Sequence, residues 1–204
     1  MKVALIGASG NVGSRILIEL LNRGHEVTGI VRHTEKLPRN DRLTAKRGDI
    51  NDEARLAQLL GGHDAVISAV RFQSTDAQSL IEAVKRAGIK RLLVVGGAGS
   101  LEVAPGVQLV DTPNFPEAYK AEALAGRDFL NVLRGERELD WTVLSPSALF
   151  MPGERTGKFR LGTDGLLVGS NGESKISFED YAIALVDELE TPRHSRQRFT
   201  MGYW

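Results

Sequence analysis

Cysteine is absent from the 204-residue sequence. The chain therefore forms no disulfide, offers no thiolate nucleophile and builds no cysteine-based metal site. Basic and acidic side chains balance at 26 each, so the formal net charge is zero. Without an excess of positive charge, the sequence argues against binding to nucleic acid or to an anionic membrane surface.

Long hydrophobic runs are also missing. No segment approaches the ~20 consecutive apolar residues that a transmembrane helix needs. The first residues run into a strand-like pattern and not into a signal peptide, so we expect a cytoplasmic protein. The histidines do not pair at metal-ligand spacing, which predicts no metal site and surface positions for each of them. They are His25, His33, His63 and His194.

A regular alternation of strand-like and helix-like segments runs along most of the chain. Strands are predicted at residues 2–6, 26–31, 44–47, 65–69, 91–95, 141–144 and 197–203. Amphipathic helices are predicted at 12–21, after a cap at Asn51, at 76–87, from Pro116 onwards and at 178–190. Short apolar strands separated by helices are typical of a parallel sheet buried on both sides. The sequence predicts an α/β fold of the Rossmann type, a doubly wound parallel sheet with helices on both faces.

The length of the chain suits one domain, so we expect residues 1–204 to fold as a single unit. Residues 145–204 begin with a stretch rich in glycine and proline. This change of pattern predicts a small C-terminal cap on the substrate side of the sheet, and not a separate domain. The long connection 96–114 has no clear periodicity, and connections of that length are usually functional or mobile.

A glycine-rich turn follows the first predicted strand and opens the first predicted helix. Gly7 permits a tight turn, Gly10 lets a phosphate approach the backbone without a Cβ in between, and Gly13 allows close packing of helix and strand. The helix N-terminus then faces the anion with its N–H groups and its positive dipole end. This context predicts a dinucleotide-binding domain. The predicted cofactor contacts in this turn are Gly7, Ser9, Gly10, Asn11, Val12 and Gly13.

The end of the second predicted strand carries basic residues where NAD-binding proteins have an acidic one. Arg32 stands at that position, and Lys36 follows four residues later. A guanidinium binds a 2′-phosphate, which a carboxylate would repel, so the sequence favours NADP(H) over NAD(H). In the alternative interpretation Arg32 is a solvated charge at a strand end, and the nearby Glu35 weakens the NADP(H) prediction.

Further cofactor contacts are predicted at the carboxyl ends of the other strands, where ligands of open α/β sheets bind. Asp49 either accepts a hydrogen bond from the adenine amino group or serves as a turn or helix-cap residue. The remaining predicted contacts are Ile50 beside Asp49, Ala69 and Val70 after the fourth strand, Gly96 after the fifth, and Pro146 after the sixth.

Seven stretches together resemble the atypical short-chain dehydrogenase/reductase family, and within it the NmrA-like and NAD(P)H-flavin reductase group that includes biliverdin reductase B-like proteins. The stretches are residues 7–13, 31–32 with 36, 48–49, 94–100, 145–147, 152–157 and 176–182. This resemblance implies a Rossmann-type fold, bound NADP(H) and reduction of a planar acceptor, with a flavin as a possible substrate.

The sequence departs from that family at the catalytic tyrosine. Short-chain dehydrogenases pair a tyrosine with a lysine four residues later, but Tyr119 is followed by Ala123 and Tyr181 by Leu185 at that spacing. The best remaining candidates for catalytic contacts are Ser100 and Tyr119. Arg155 either binds a substrate anion or anchors its own loop.

Three functions follow from these features. The first is an NADPH-dependent reductase that transfers hydride to a flavin, a quinone or another small planar acceptor, because such chemistry needs little more than stacking and exclusion of water. The second, which the resemblance to NmrA-like proteins implies, is a non-enzymatic NADP(H)-sensing regulator. The third is a sugar-nucleotide epimerase or dehydratase, which the missing tyrosine–lysine pair disfavours. The sequence does not determine the oligomeric state.

Overall fold

The computed structural model describes residues 1–204, with an eight-stranded sheet at its centre. The strands are β1 Lys2–Ile6, β2 Glu26–Val31, β3 Leu43–Arg47, β4 Ala65–Ser68, β5 Arg91–Val95, β6 Glu102–Ala104, β7 Val107–Gln108, β8 Asp140–Ser145, β9 Leu149–Met151, β10 Arg160–Gly162, β11 Lys175–Ser177 and β12 Gln197–Gly202. The helices are α1 Asn11–Asn22, α2 Glu53–Leu60, α3 Ala77–Arg86, α4 Glu117–Arg134 and α5 Phe178–Glu190.

The central sheet has the strand order β10-β12-β8-β5-β4-β1-β2-β3, and only β10 is antiparallel to its neighbour. From β1 the chain moves outwards through β2 to β3, and it then returns to the other side of β1 at β4. The crevice between β1 and β4 is therefore the switch point at which ligands of such sheets bind. This topology confirms the predicted Rossmann-type fold.

Helices cover both faces of the sheet. Side chains alternate along β1, so that Val3 and Leu5 pack towards α1 and α5 while Ala4 and Ile6 pack towards α2, α3 and α4. All four are at most 2% exposed, as expected for a strand that is buried on both sides. The two faces thus form two separate hydrophobic layers around one sheet.

The N-terminus of α2 differs from the prediction. Asp52, and not Asn51, caps this helix, because the Asp52 carboxylate accepts a hydrogen bond from the backbone N–H of Arg55. The backbone N–H of Asn51 donates instead to Asp49 Oδ1 at 2.9 Å. This turn at Asp49 moves the start of the helix one residue along the chain.

Most of residues 145–204 belong to the body of the fold, and the predicted cap is only a part of them. β12 pairs with β8 in the central sheet, and β10 adds an antiparallel edge to β12. α5 packs beside α1 in the hydrophobic layer on one face. The small sheet of β9 and β11 and the loops on either side of it lie outside the central sheet, although Ile176 of β11 packs into the layer of α1 and α5.

The connection 96–114 contains the β6–β7 hairpin and is tied to the loop that follows β10. The backbone N–H of Glu102 donates to Asp164 O, and the N–H of Leu166 donates to Glu102 O, both at 2.8 Å. Two further backbone hydrogen bonds, from Leu109 to Leu101 and from Val110 to Gly99, close the connection on itself.

Of the five helices, none has both the length and the hydropathy that a membrane span requires.

Candidate functional site

The glycine-rich turn has a backbone that requires glycine at two positions. Gly7 has a φ of +83°, and a Cβ there would lie 2.7 Å from Ala69 O. A Cβ on Gly13 would lie 1.9 Å from Gly7 O, which no side chain tolerates. The turn therefore packs closely against the start of α1, as the sequence predicts, and also against the loop after β4.

The N-terminus of α1 is open. Gly10 occupies the N-cap position without a side-chain cap, and the backbone N–H groups of Asn11, Val12 and Gly13 have no acceptor within the chain. Gly10 is exposed, and the only atom near a Cβ built on it is Gly7 O at 3.5 Å. Unpaired N–H groups at a positive helix end, with room beside them, fit a pyrophosphate. Ser9 and Asn11 are exposed at the same turn.

The basic residues after β2 carry free charges. Arg32 and Lys36 are both exposed and form no ion pair within 4 Å, so each is free to meet an anion. Glu35, which weakened the NADP(H) prediction, lies 3.7 Å from His33 and makes no ion pair with Arg32. The geometry thus leaves two cations unpaired at the edge of the nucleotide crevice.

The loops after β3 and β4 complete the nucleotide side of this edge. Asp49 Oδ1 accepts the backbone N–H of Asn51, which favours the turn interpretation of Asp49 over the adenine contact. Ile50 is half-buried against the α2–α4 layer, so it supports the loop from below. Ala69 and Val70 both lie against Gly7, with their closest atoms 2.7 and 2.9 Å from a Cβ built there.

The loops after β5 and β8 are tightly joined. The backbone N–H of Gly96 donates to Leu144 O at 2.9 Å, and a Cβ on Gly96 would lie 2.6 Å from Val143 Cγ1. Tyr181 Oη donates to the same Leu144 carbonyl at 2.6 Å, and its complete burial raises the pKa of the Tyr181 phenol well above its ordinary value. Tyr181 is therefore a core residue. Pro146, which follows β8, is also buried.

The two candidate catalytic side chains lie in different environments. Ser100 is 7% exposed, and its Oγ accepts a hydrogen bond from Arg198 Nη1 at 2.8 Å. Tyr119, in the first turn of α4, is 67% exposed and its hydroxyl has no partner. Ala123, one turn further, lies against Gly99 in the loop after β5, so the exposed Tyr119 flanks the same loop.

The prediction of surface histidines is wrong for His25, which is buried, whereas His63 and His194 are partly exposed and His33 is exposed. His25 is 7% exposed, with Nε2 2.6 Å from Glu190 Oε2. His63 is half-buried and bridges Leu60 O and Thr28 Oγ1. His194 stacks on the ring of Phe199 at 4.0 Å. The contacts of His25 with Glu190 and of His63 with Thr28 join residues that are distant in the chain, so the local sequence does not reveal them.

Arg155 anchors its loop and does not face the crevice. Its Nε and Nη2 donate to the two carboxylate oxygens of Glu19 in α1, both at 2.9 Å. The following residues are held by Asp180 of α5, which accepts the backbone N–H groups of Thr156 and Gly157 at 2.8 and 2.9 Å. The sequence left Arg155 open between a substrate contact and an anchor, and the structure supports the anchor.

Glu19→Gln is expected to destabilise the protein at neutral pH and to have less effect in acid. Hydrogen bonds from Arg155 and Arg23 hold the pKa of Glu19 below its ordinary value, against the opposing effect of burial. A carboxyl whose pKa is lower in the folded state stabilises the fold above its unfolded pKa and loses that effect as the pH falls. We expect a loss of about 1–3 kcal/mol at pH 7, allowing for the exposure of Arg155.

Thermal unfolding of wild type and variant at pH 7 and at about pH 3 measures this difference. The difference in Tm between wild type and variant is expected to narrow at the lower pH, because pH 3 lies below the ordinary pKa of a glutamate, where the unfolded chain takes up a proton and the stabilisation by the folded-state carboxylate is progressively lost. Glu138→Gln is a matched control, since Glu138 also pairs with a cation, Lys85 at 2.6 Å, but its side chain is 77% exposed and such pairs contribute little. An equal difference in Tm between wild type and Glu19→Gln at both pH values would contradict the assignment of the stabilisation to the Glu19 carboxylate.

Comparison with known proteins decides the family. The sequence model of the NAD(P)H-binding family matches residues 7–192, which include the glycine-rich turn and every strand end of the crevice. The chain belongs to this NAD(P)H-binding family. The open N-terminus of α1 fits the pyrophosphate of the NAD(P)H that this family binds. The family membership confirms the expected NAD(P)-binding protein, while the preference for NADP(H) stays a prediction.

Several similar proteins match over nearly their whole length. YwnB of Bacillus subtilis is 42% identical, with 98% of each chain covered. A structure from Bacteroides thetaiotaomicron, provisionally named an epimerase, is 47% identical with a TM-score of 0.95, covering 99% of this chain and 96% of that one. A structure from Streptococcus pneumoniae, provisionally named an NADH-flavin reductase, is 37% identical with a TM-score of 0.87 and full coverage of both chains. More distant curated relatives match along about half of their own length.

Proposed function

We propose that the protein is an NADPH-dependent oxidoreductase that transfers hydride to a flavin, a quinone or a similar small planar acceptor. The observation that carries this proposal is the pair of unpaired cations, Arg32 and Lys36, beside the open N-terminus of α1. Backbone N–H groups suit a pyrophosphate, and a free guanidinium with a second cation nearby suits a 2′-phosphate. We expect no nucleic acid or membrane partner, and a cytoplasmic location stays a prediction.

The bound nicotinamide supplies the hydride, and the residues of the chain bind, orient and exclude water. Gly7, Gly10 and Gly13 shape the phosphate cradle, while the joined loops at Gly96 and Leu144 form a rigid floor beside it. No tyrosine–lysine pair is present to protonate an alkoxide. A planar acceptor that exchanges its proton with solvent fits this site better than a carbonyl that must become an alcohol.

An epimerase is the function that the name of the Bacteroides thetaiotaomicron relative suggests for that protein. For this chain it is disfavoured, because Ala123 stands where the partner lysine of Tyr119 would be needed. The name of the Streptococcus pneumoniae relative supports a reductase. A regulator that binds NADP(H) without turnover is the remaining alternative, and the assay below separates it from a reductase.

Anaerobic oxidation of NADPH with FMN, riboflavin or menadione tests the proposal, with NADH in parallel and cofactor affinity measured on the same sample. We expect turnover with a preference for NADPH. Tyr119→Phe is expected to change kcat by less than about 3-fold, because its hydroxyl has no lysine partner to make it a proton donor. Tight NADPH binding without turnover on any acceptor would contradict the reductase function and favour a regulator that senses NADP(H).

A further inference from the structure

Arg198 is a charged residue in an interior position. It lies in β12, and its side chain is only 2% exposed. On one side its Nε and Nη2 each lie 3.1 Å from Asp164 Oδ1, in the loop after β10. Burial lowers the pKa of the Arg198 guanidinium, and the Asp164 carboxylate opposes that effect. The Arg198 charge is thus held by one carboxylate and is otherwise removed from solvent.

The other side of the guanidinium contacts two serine hydroxyls at the carboxyl ends of β5 and β8. Arg198 Nη1 donates to Ser100 Oγ at 2.8 Å and to Ser145 Oγ at 3.3 Å, and Nη2 donates to Ser100 O at 3.2 Å. A hydroxyl that accepts from a guanidinium keeps its own proton for another acceptor. Neither the Ser100 nor the Ser145 hydroxyl donates to any acceptor within the chain.

Both hydroxyls line one small cavity together with Gly96 and Gly97. A Cβ on Gly96 would lie 3.1 Å from Ser145 Oγ, so the loop after β5 lies directly against this hydroxyl. The cavity has a volume of about 10 Å³, which is room for a single oxygen and too little for a ring. Its other walls are formed by Phe72, Val94, Gly126, Phe129, Leu130 and Val143.

We propose that Arg198 is a positioning residue that makes Ser100 and Ser145 a pair of O–H donors for an acceptor oxygen that becomes negatively charged. This inference rests on the proposed function, because the oxygen belongs to the molecule that receives the hydride. Donors fixed in advance and backed by a poorly solvated cation stabilise a developing oxyanion more than water does. Among planar acceptors, the site therefore favours those that develop negative charge on an oxygen, such as quinones, over those without such an oxygen.

A quinone acceptor receives two electrons and one proton as hydride from NADPH, which leaves NADP⁺. One of the quinone oxygens thereby becomes the anion of a hydroquinone. The Ser100 and Ser145 hydroxyls donate hydrogen bonds to that oxygen. A proton from solvent then completes the hydroquinone, and neither serine is consumed.

Binding of 4-nitrophenol to the protein with NADP⁺ tests the donor pair without any turnover. Its phenolate absorbs visible light, so a pH titration gives the pKa of the bound phenol directly. We expect the wild type to bind the phenolate more tightly than the phenol. Ser100→Ala and Arg198→Met are each expected to reduce that preference by about 10-fold or more, because a hydrogen bond to a charged oxygen is lost or weakened.

Ser147→Ala is the matched control. Ser147 is as buried as Ser100, but its hydroxyl donates to Met201 O at 2.7 Å and so has no proton for a ligand. This variant is expected to retain the wild-type phenolate preference. Arg198→Lys keeps the positive charge and is expected to restore part of the preference that Arg198→Met loses, which a merely structural role of Arg198 does not predict.

Turnover with two acceptors provides the second measurement. Menadione develops charge on an oxygen, whereas methylene blue is a planar acceptor without one. Ser100→Ala is expected to lower kcat with menadione by about 100-fold, to leave the rate with methylene blue within about 2-fold, and to leave the affinity for NADPH unchanged. Ser100→Ala removes only a hydroxyl, so this test does not depend on Arg198→Met folding normally.

The outcomes separate the two proposals. Equal phenolate preference in wild type, Ser100→Ala and Ser147→Ala overturns the role of Arg198, even if menadione is reduced. The absence of any phenolate preference in the wild type overturns it as well. A phenolate preference that depends on Ser100 and Arg198, in a protein that reduces no acceptor, supports the donor pair and overturns the reductase.

Discussion

Arg32→Glu is expected to weaken NADPH binding by about 100-fold while changing NADH binding by less than about 3-fold. The expectation rests on the loss of charge-assisted hydrogen bonds to a 2′-phosphate and on the repulsion that a carboxylate adds. Arg32 is exposed and has no partner within the protein, so its replacement removes no intramolecular ion pair. Equilibrium titration of both cofactors, followed by tryptophan fluorescence or calorimetry, measures the two affinities.

Arg137→Glu is the control for a general effect of net charge. Arg137 is exposed in the connection between α4 and β8, at the amino ends of the strands and thus away from the crevice at their carboxyl ends. It is expected to leave both affinities unchanged at physiological salt, where charges this far apart are screened. Lys36→Glu is expected to act in the same direction as Arg32→Glu but less strongly. If Arg32→Glu loses equal affinity for NADPH and for NADH, the assignment of Arg32 as the contact of the 2′-phosphate is wrong.

Two glycine substitutions in the same turn are expected to separate cofactor binding from stability. Gly10→Ala is expected to reduce cofactor affinity by about 100-fold or more, because the new methyl enters the space where the pyrophosphate must approach the backbone. The fold itself tolerates this methyl, since Gly10 has a φ of −71° and its nearest neighbour would be Gly7 O at 3.5 Å. The melting temperature of the free protein should therefore stay close to that of wild type.

Gly13→Ala is expected to lower both the stability of the fold and the affinity for the cofactor. Its Cβ would lie 1.9 Å from Gly7 O and 2.9 Å from Gly7 C, so α1 must move away from the turn. Overpacking of this kind costs about 1–3 kcal/mol of stability, and it also displaces the N–H groups that face the ligand. Thermal unfolding without cofactor, combined with NADPH titration, distinguishes the two variants. If Gly10→Ala binds NADPH normally, the pyrophosphate does not lie at this turn.

Local patterns predicted most of the fold. Four of the observed elements have the predicted limits, namely β1, β2, β5 and α5, and six more match to within one residue at each end, namely α1, α3, β3, β4, β8 and β12. Each is a run in which apolar periodicity and flanking turn residues agree, so the information is contained in neighbouring residues. The small discrepancy at α2 arises because Asp49, Asn51 and Asp52 are all good turn or cap residues, and only the formed turn decides among them.

The tail was harder to predict, because its elements are short and separated by glycine and proline. The sequence identified β12 as a strand, but it did not indicate that β12 pairs with β8 in the central sheet. β10 has only three residues, too few for a recognisable pattern. An arginine beside Phe199 in a short strand was the one signal that could have drawn attention to Arg198.

The sequence by itself determined the α/β alternation, the glycine-rich turn and the basic residues after β2. All three depend on residues that are close in the chain, since a turn or a strand end is specified by its own backbone and neighbours. The tertiary structure alone decided the partners of Ser100 and Arg155 and the contact of His25 with Glu190. Ser100 and Arg198 are 98 residues apart, and Glu19 and Arg155 are 136 apart. Such pairs form only once the strand order has brought distant segments together, because hydrogen bonds and burial depend on spatial neighbours.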